Sequence, residues 1–572
     1  MRLINTSTLL FEEFIGRNIP EYAILSHTWD VDELSFKDMG DPEYIKKKKK
    51  GHLKIRWTCD IAWESQIAYA WIDTCCIDKS SSAELTEAIN SMYRWYERAR
   101  ICYVYLSDLP PSAPLDAALK HCRWFTRGWT LQELVAPKSI HFFGQDWNYV
   151  GSKYDLTSQL EAITGIDRGI LQHESSLRTV VVSKKMSWAA HRETTRIEDT
   201  AYCLLGIFNV NMPLLYGEEE KAFQRLQEEI IKSTNDPTIF AWTIPRTINS
   251  SQHPDDKVYS SILAGSPDAF SNIEHDSGPV YPPRELSVTN KRVKGQVSIL
   301  IAQVRGNPKH RYILPLHNYN SSYQEVGVLL KKIDIDEFVR EDPYTLVAYT
   351  KRAYATPQEI YILIDLPHVP NPFTEYEFIK RKKSSVLQTR LPPEMKIKYE
   401  DVEPKSQYDV EERLFISSRF PSLDTCMLSL GVDAGFGFKA ECTFIAVRWP
   451  GVAIQYGLVH DELFRSELDD LRQKIGTRTY SDTRTMRYLE LEGIRKSSSV
   501  AIGIPFGNAS VLISVKPTWA VYDENVSIYP FWRMNFSFEV MAAEQVPQIP
   551  AGEWDTRDIS ELGIQPSDQQ SR

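Results

Sequence analysis

The sequence predicts an α/β N-terminal domain built on a parallel sheet, a helical extension, and then a β-rich, sandwich-like domain. Two textures predict it. Up to about residue 235, short apolar runs alternate with helical patterns; from residue 258, short alternating runs are separated by Pro, Gly, Asn and Asp. Strand–helix alternation implies parallel pairing with helices on the sheet faces, whereas short strands divided by turn residues imply antiparallel layers. A chain of 572 residues also exceeds one ordinary core, so several domains are expected.

Taken in order, Tyr22–Leu25, Tyr69–Ile72, Ile101–Leu106 and Ile140–Phe143 read as buried strands. Between the second and third, Leu85, Ile89, Met92 and Tyr96 recur at helical spacing behind a Ser81/Glu84 capping box. Residues 186–232 turn helical: Thr195 and Glu198 have capping-box spacing ahead of Ala201–Ile207, and Phe223, Leu226 and Ile230 form an apolar stripe after Pro213. Thr247–Lys257 reads as a linker. Strand-like runs follow at Val297–Val304, Tyr312–Leu316, Ile360–Ile364, Cys442–Trp449, Ala453–Leu458, Val500–Ile504 and Val511–Val515. The expected division is 1–180 for the α/β domain, 181–246 for the helical extension, 258–545 for the β-rich domain, and 546–572 for a mobile, Gln/Asp/Ser/Pro-rich tail.

Composition narrows the function. A formal net charge of −10 argues against a nucleic-acid partner, which calls for a basic face. No apolar run approaches the ~18–20 residues of a transmembrane span. The opening MRLINTSTLLFEEF makes a poor signal peptide. Eight cysteines in so long a chain, several within apolar runs, read as buried thiols of a reducing, cytoplasmic compartment. There is no C-x-x-C pair, and the adjacent Cys75 and Cys76 cannot readily chelate one zinc, so no metal is expected. The Lys46–Lys50 run reads as a solvated helix end or loop.

Three strand ends carry chemistry. Ser26, His27 and Trp29 follow the first strand, Asp73 ends the second, and Trp129 and Glu133 stand four residues apart in a short helical segment closed by Pro137. Carboxyl ends of parallel strands are where such sheets bind ligands. Two readings of Glu133 stand side by side: a carboxylate with Trp129 as its aromatic wall, or half of a Thr130/Glu133 capping box.

Several segments resemble, in order, the blocks of the fungal heterokaryon-incompatibility (HET) domain. They are Tyr22-Ala-Ile-Leu-Ser-His-Thr-Trp29, Trp71-Ile-Asp-Thr-Cys-Cys-Ile-Asp-Lys79, Ser91–Tyr96, Cys102–Asp108 and Arg123–Pro137. Met186–Tyr202 through Tyr216-Gly217 to Phe240-Ala-Trp242 resembles the helical extension that often follows that domain. The HET domain is in turn similar to TIR domains, flavodoxin-like signalling modules. That likeness implies a catalytic role for Glu133 in NAD(P) cleavage, with Trp129 at the matching aromatic and Ser26 and Asp73 at nucleotide-facing strand ends. NAD(P) is then a substrate, and no cofactor is called for. The bond broken releases a neutral ring from a cation, so a carboxylate is needed for the oxocarbenium-like ribose rather than a general acid for the leaving group. The resemblance also implies a cell-death effector with an unidentified self/non-self protein partner. A non-enzymatic module acting by self-association through the HET domain is the alternative.

Overall fold

The computed structural model describes residues 1–40 except 17, then 49–245, 258–273, most of 285–364, and beyond these mainly strands between 385 and 542. Thr247–Lys257 and the tail 546–572 lie outside the described residues, as do Lys46–Lys48. The chain divides into two compact units: residues 1–298 with 314–329 and 341–350, and residues 299–313 with 330–340 and 351–572.

In the first unit, β1 (Arg2–Asn5), β2 (Phe11–Glu13), β3 (Ala23–His27), β4 (Tyr69–Trp71), β5 (Ile101–Tyr105), β6 (Ile140–Phe143) and β7 (Tyr149–Ser152) form one sheet ordered β2-β1-β4-β3-β5-β6-β7. The expected strands are its parallel centre: β3 pairs in parallel with β4 and β5, and β5 with β6. The sheet as a whole is mixed, because β1, β2 and β7 are antiparallel. These outer strands are only partly buried, so none of them reads as a continuous apolar run. The β1–β2 hairpin is set by Asn5, whose Oδ1 accepts from Ser7 N and Thr8 N, an Asx turn that competes with extended backbone.

Two longer helices serve the parallel strands. In α1 (Lys49–Glu64), Ile55, Cys59 and Ala62 are buried. In α2 (Ser82–Arg98), the buried side is Ala88, Ile89, Met92 and Tyr96, the expected stripe apart from Leu85. Ser81 caps α2 by accepting from Glu84 N at 3.3 Å. The reciprocal half of the box goes elsewhere: Glu84 Oε1 accepts from Asp78 N and from Arg2. A third helix, α3 (Thr130–Val135), is short and every residue of it is buried.

Residues 181–245 lie within the same unit. The expected Ala201–Ile207 helix is two short ones, Asp199–Tyr202 and Leu205–Phe208. Glu198 does not complete a box with Thr195; its carboxylate accepts from Gly217 N at 2.5 Å. Gly128 and Gly206 mark close approaches. A Cβ on Gly128 would meet Thr194 Cγ2 at 2.6 Å, and one on Gly206 would meet Tyr93 Cβ at 2.0 Å. Backbone bonds from Gly128 N to Glu193 O and from Glu193 N to Thr126 O join the two segments directly.

Among the described residues of the second unit, two further sheets are formed by strands beyond residue 384. Lys396–Glu403, Asp424–Gly435, Phe438–Arg448 and Gln455–His460 form a four-stranded antiparallel sheet in that order. Val500–Phe506, Ala509–Ala520 and Phe531–Ala542 form an antiparallel meander in a six-stranded sheet, with Ser385–Arg390 parallel to the last of them. The run read as Val297–Val304 is broken: Val297 ends one strand, and the next is Leu300–Gln303.

Candidate active site

Ser26 is fully buried near the end of β3, and its hydroxyl donates to Glu133 Oε2 on α3. Trp124 Nε1 donates to Ser26 Oγ at 2.7 Å. Tyr96, from the buried side of α2, hydrogen-bonds Glu133 and donates to Leu25 O at 3.1 Å. Burial pushes the Glu133 carboxyl up to about 8, and Asp73 adds to this; the bonds from Ser26 and Tyr96 act against it. The bonds run from Trp124 to Ser26, from Ser26 to Glu133, and from Tyr96 to the Leu25 carbonyl. Burial and Asp73 thus favour the neutral carboxylic acid at neutral pH.

α3 is held at both ends by cations. Arg192 Nη1 donates to Arg127 O at 3.0 Å and to Thr130 Oγ1 at 3.1 Å. Lys153, 3% exposed, donates from Nζ to Leu134 O at 3.0 Å and Pro137 O at 2.7 Å, a cation at the carbonyl end of the helix. Thr130 makes no capping box with Glu133: Trp129 precedes the helix with helical backbone, and Thr130 Oγ1 lies 2.5 Å from Trp124 O and 2.8 Å from Arg127 O.

The remaining candidates separate. Trp129 hydrogen-bonds Asp199 of the helical extension, so the indole beside Ser26 is that of Trp124. Trp124 falls inside the family-like block Arg123–Pro137 but was not singled out within it, since it lies in a short 3-10 turn, Arg123–Thr126, without helical spacing. Neighbours on a strand face opposite ways, and His27 accordingly departs from Ser26. Its Nε2 lies 3.5 Å from Glu33 Oε2, and Lys54 of α1 bonds the same Glu33 carboxylate. Burial raises the Glu33 carboxyl, but His27 and Lys54 more than offset this and hold it at about 2. Glu33 and Lys54 were missed because they acquire a role only through contact with His27.

Trp29 is 51% exposed, and its Nε1 donates to Asp73 Oδ2 at 2.9 Å. Asp73 thus links the indole at the surface with the buried acid, whose ionisation its charge opposes. Cys59, Cys75, Cys76, Cys102, Cys122 and Cys203 are buried and unpaired, and burial pushes the Cys59 thiol up to about 12. They fit structural thiols rather than nucleophiles. Among the described residues no group of His, Cys, Asp and Glu is placed to hold a metal ion, and no helix is long and apolar enough to cross a membrane.

Residues 22–118, from β3 through β5, match the family model described as heterokaryon incompatibility protein (HET). The chain carries a HET domain. Over 225 residues the HET-domain chain is 48% identical to vegetative incompatibility protein HET-E-1 of Podospora anserina; the match covers 37% of this chain and 16% of that one. Residues 221–277 match a second family model, a domain of unknown function (DUF8212). No solved structure matches. Within the HET match fall Ser26, His27, Trp29, Asp73 and Tyr96; Trp124, Trp129 and Glu133 follow it.

Proposed function

We propose that this HET-domain protein is a cytoplasmic effector of heterokaryon incompatibility and cell death, acting by cleavage of the nicotinamide–ribose bond of NAD(P). The observation that carries the reading is the buried Glu133 bound to Ser26 at the carboxyl end of a parallel strand. Two others support it. The central order β4-β3-β5-β6 is, counted along the parallel strands, 2-1-3-4, the start of the flavodoxin-like order that the TIR likeness implies. Ligands of such sheets bind at the carboxyl edge where the order reverses, here between β3 and β5. Six buried, unpaired thiols are in keeping with a reducing compartment.

In this reading the dinucleotide enters at Trp29 and Asp73 and presents its ribose to Glu133. A positive ring nearby favours the ionised carboxylate, so substrate binding lowers the Glu133 pKa and the carboxyl releases its proton to solvent. The carboxylate then stabilises the positive charge developing on the ribose. Ser26 and Tyr96 hold the carboxyl group in place, and water attacks the freed carbon. The purified 572-residue chain should consume NAD(P), and Glu133→Gln should abolish that while remaining folded. Equal consumption by both proteins would refute the assignment.

Assembly without chemistry is favoured by one feature. Leu53, Trp57 and Trp63 are exposed on the outer side of α1, 46–60% each, and would suit self-association. Killing by a Glu133→Gln protein with unchanged cellular NAD would select this second reading.

A further inference from the structure

The Trp29 indole is fixed at one edge by its bond to Asp73 Oδ2, at 2.9 Å, and carries a cation on its face: Lys79 Nζ sits 3.5 Å from the ring centroid. The other carboxylate oxygen, Asp73 Oδ1, is out of contact with solvent and has no hydrogen-bond partner among the described residues. An oriented indole with a carboxylate at its edge is an arrangement that selects for positive charge, because the ring quadrupole and the anion act in the same direction. It also selects for flatness, since a planar ring covers an indole face more fully than an ammonium does. We propose that the Lys79-bearing face of Trp29, with Asp73 at the ring edge, is the subsite for a positively charged heteroaromatic ring, and that Lys79 is the internal cation this ring displaces.

This rests on the dinucleotide-cleaving reading and adds a selectivity to it. The oxidised pyridinium is taken, whereas the neutral reduced ring gains neither the quadrupole nor the carboxylate. Lys79 keeps the face covered when no substrate is bound, which weakens binding of any cation that must replace it.

The test uses the full chain with two probes that hold no glycosidic bond, the 1-methylnicotinamide cation and neutral nicotinamide, titrated by calorimetry. Lys79→Met should bind the cation about three-fold more tightly than wild type, the scale of an exposed cation–π contact. Its affinity for nicotinamide should not change. Trp29→Leu should weaken the cation and abolish the difference between the probes. Lys79→Met tightening both probes equally, or leaving the cation unchanged or undetectable, overturns the proposal. Cation binding that follows this pattern in a protein that leaves NAD(P) intact would retain the subsite and remove the hydrolase reading. NAD(P) cleavage with no response to Lys79→Met would do the reverse.

Discussion

Ser26 and Glu133, 107 residues apart in sequence, meet in a hydrogen bond that joins the end of a central strand to the middle of a six-residue helix. Burial and the charge of Asp73 move the carboxyl far from its ordinary range, so its protonation becomes the property most open to measurement.

The pH profile of catalysis should show this. If the ionised Glu133 is the active form, kcat/KM for NAD(P) rises with pH toward a midpoint near 8 rather than 4.5. Asp73→Asn removes a like charge and should shift that midpoint down. A profile flat between pH 5 and 9 in both proteins would show that Glu133 does not govern the rate.

Stability should depend on pH through the same group. The folded protein keeps the Glu133 proton to about pH 8, whereas a freely solvated glutamate loses it near 4.5. Between those values the folded state binds more protons, so the stabilisation present below about 4.5 is lost as pH rises through 8. Glu133→Gln cannot ionise. Relative to wild type it should gain on the order of a few kcal/mol between pH 5 and 9, seen as a rising difference in thermal midpoint.

Lys153→Met should be destabilising by about 1–3 kcal/mol, because the Leu134 carbonyl of α3 loses its donor and the Pro137 carbonyl just beyond it keeps only His173. Thermal melting checks the loss. NAD(P) turnover should fall further than the folded fraction does, since the same helix carries Glu133.

Gly128→Ala should cost about 1–3 kcal/mol by overpacking against Thr194 and Cys203, and Gly206→Ala should cost more, its new methyl carbon falling 2.0 Å from Tyr93 Cβ. Melting curves of the two variants, compared with an alanine at the open Gly40, give the order.

The parallel strands were legible because burial on both faces writes them as continuous apolar runs, as in Ile101–Tyr105. The outer strands β1, β2 and β7 were not, since each is only partly buried and mixes polar with apolar residues. Within the site, Ser26, Asp73 and Glu133 were legible as polar residues at strand ends or beyond them. Tyr96 was read as core, and it is core; its hydroxyl reaches the site while its ring fills the helix face. The grouping of His27 with Ser26 failed on the two-residue period of the strand, which sends adjacent side chains to opposite layers. Trp124 stayed hidden because its partner is distant in sequence and its turn has no periodic signature.

The bonds between Gly128 and Glu193, and between Arg192 and Thr130, have a consequence for anyone cutting the gene. The helix bearing Glu133 is finished by chain synthesised some sixty residues later. A fragment stopped at residue 180 would emerge with its reactive helix unanchored on one side and with Tyr93 facing solvent where Gly206 should lie. Expression libraries that sample endpoints along this chain should therefore yield soluble protein abruptly, once the Asp199–Phe208 segment is included, rather than by degrees.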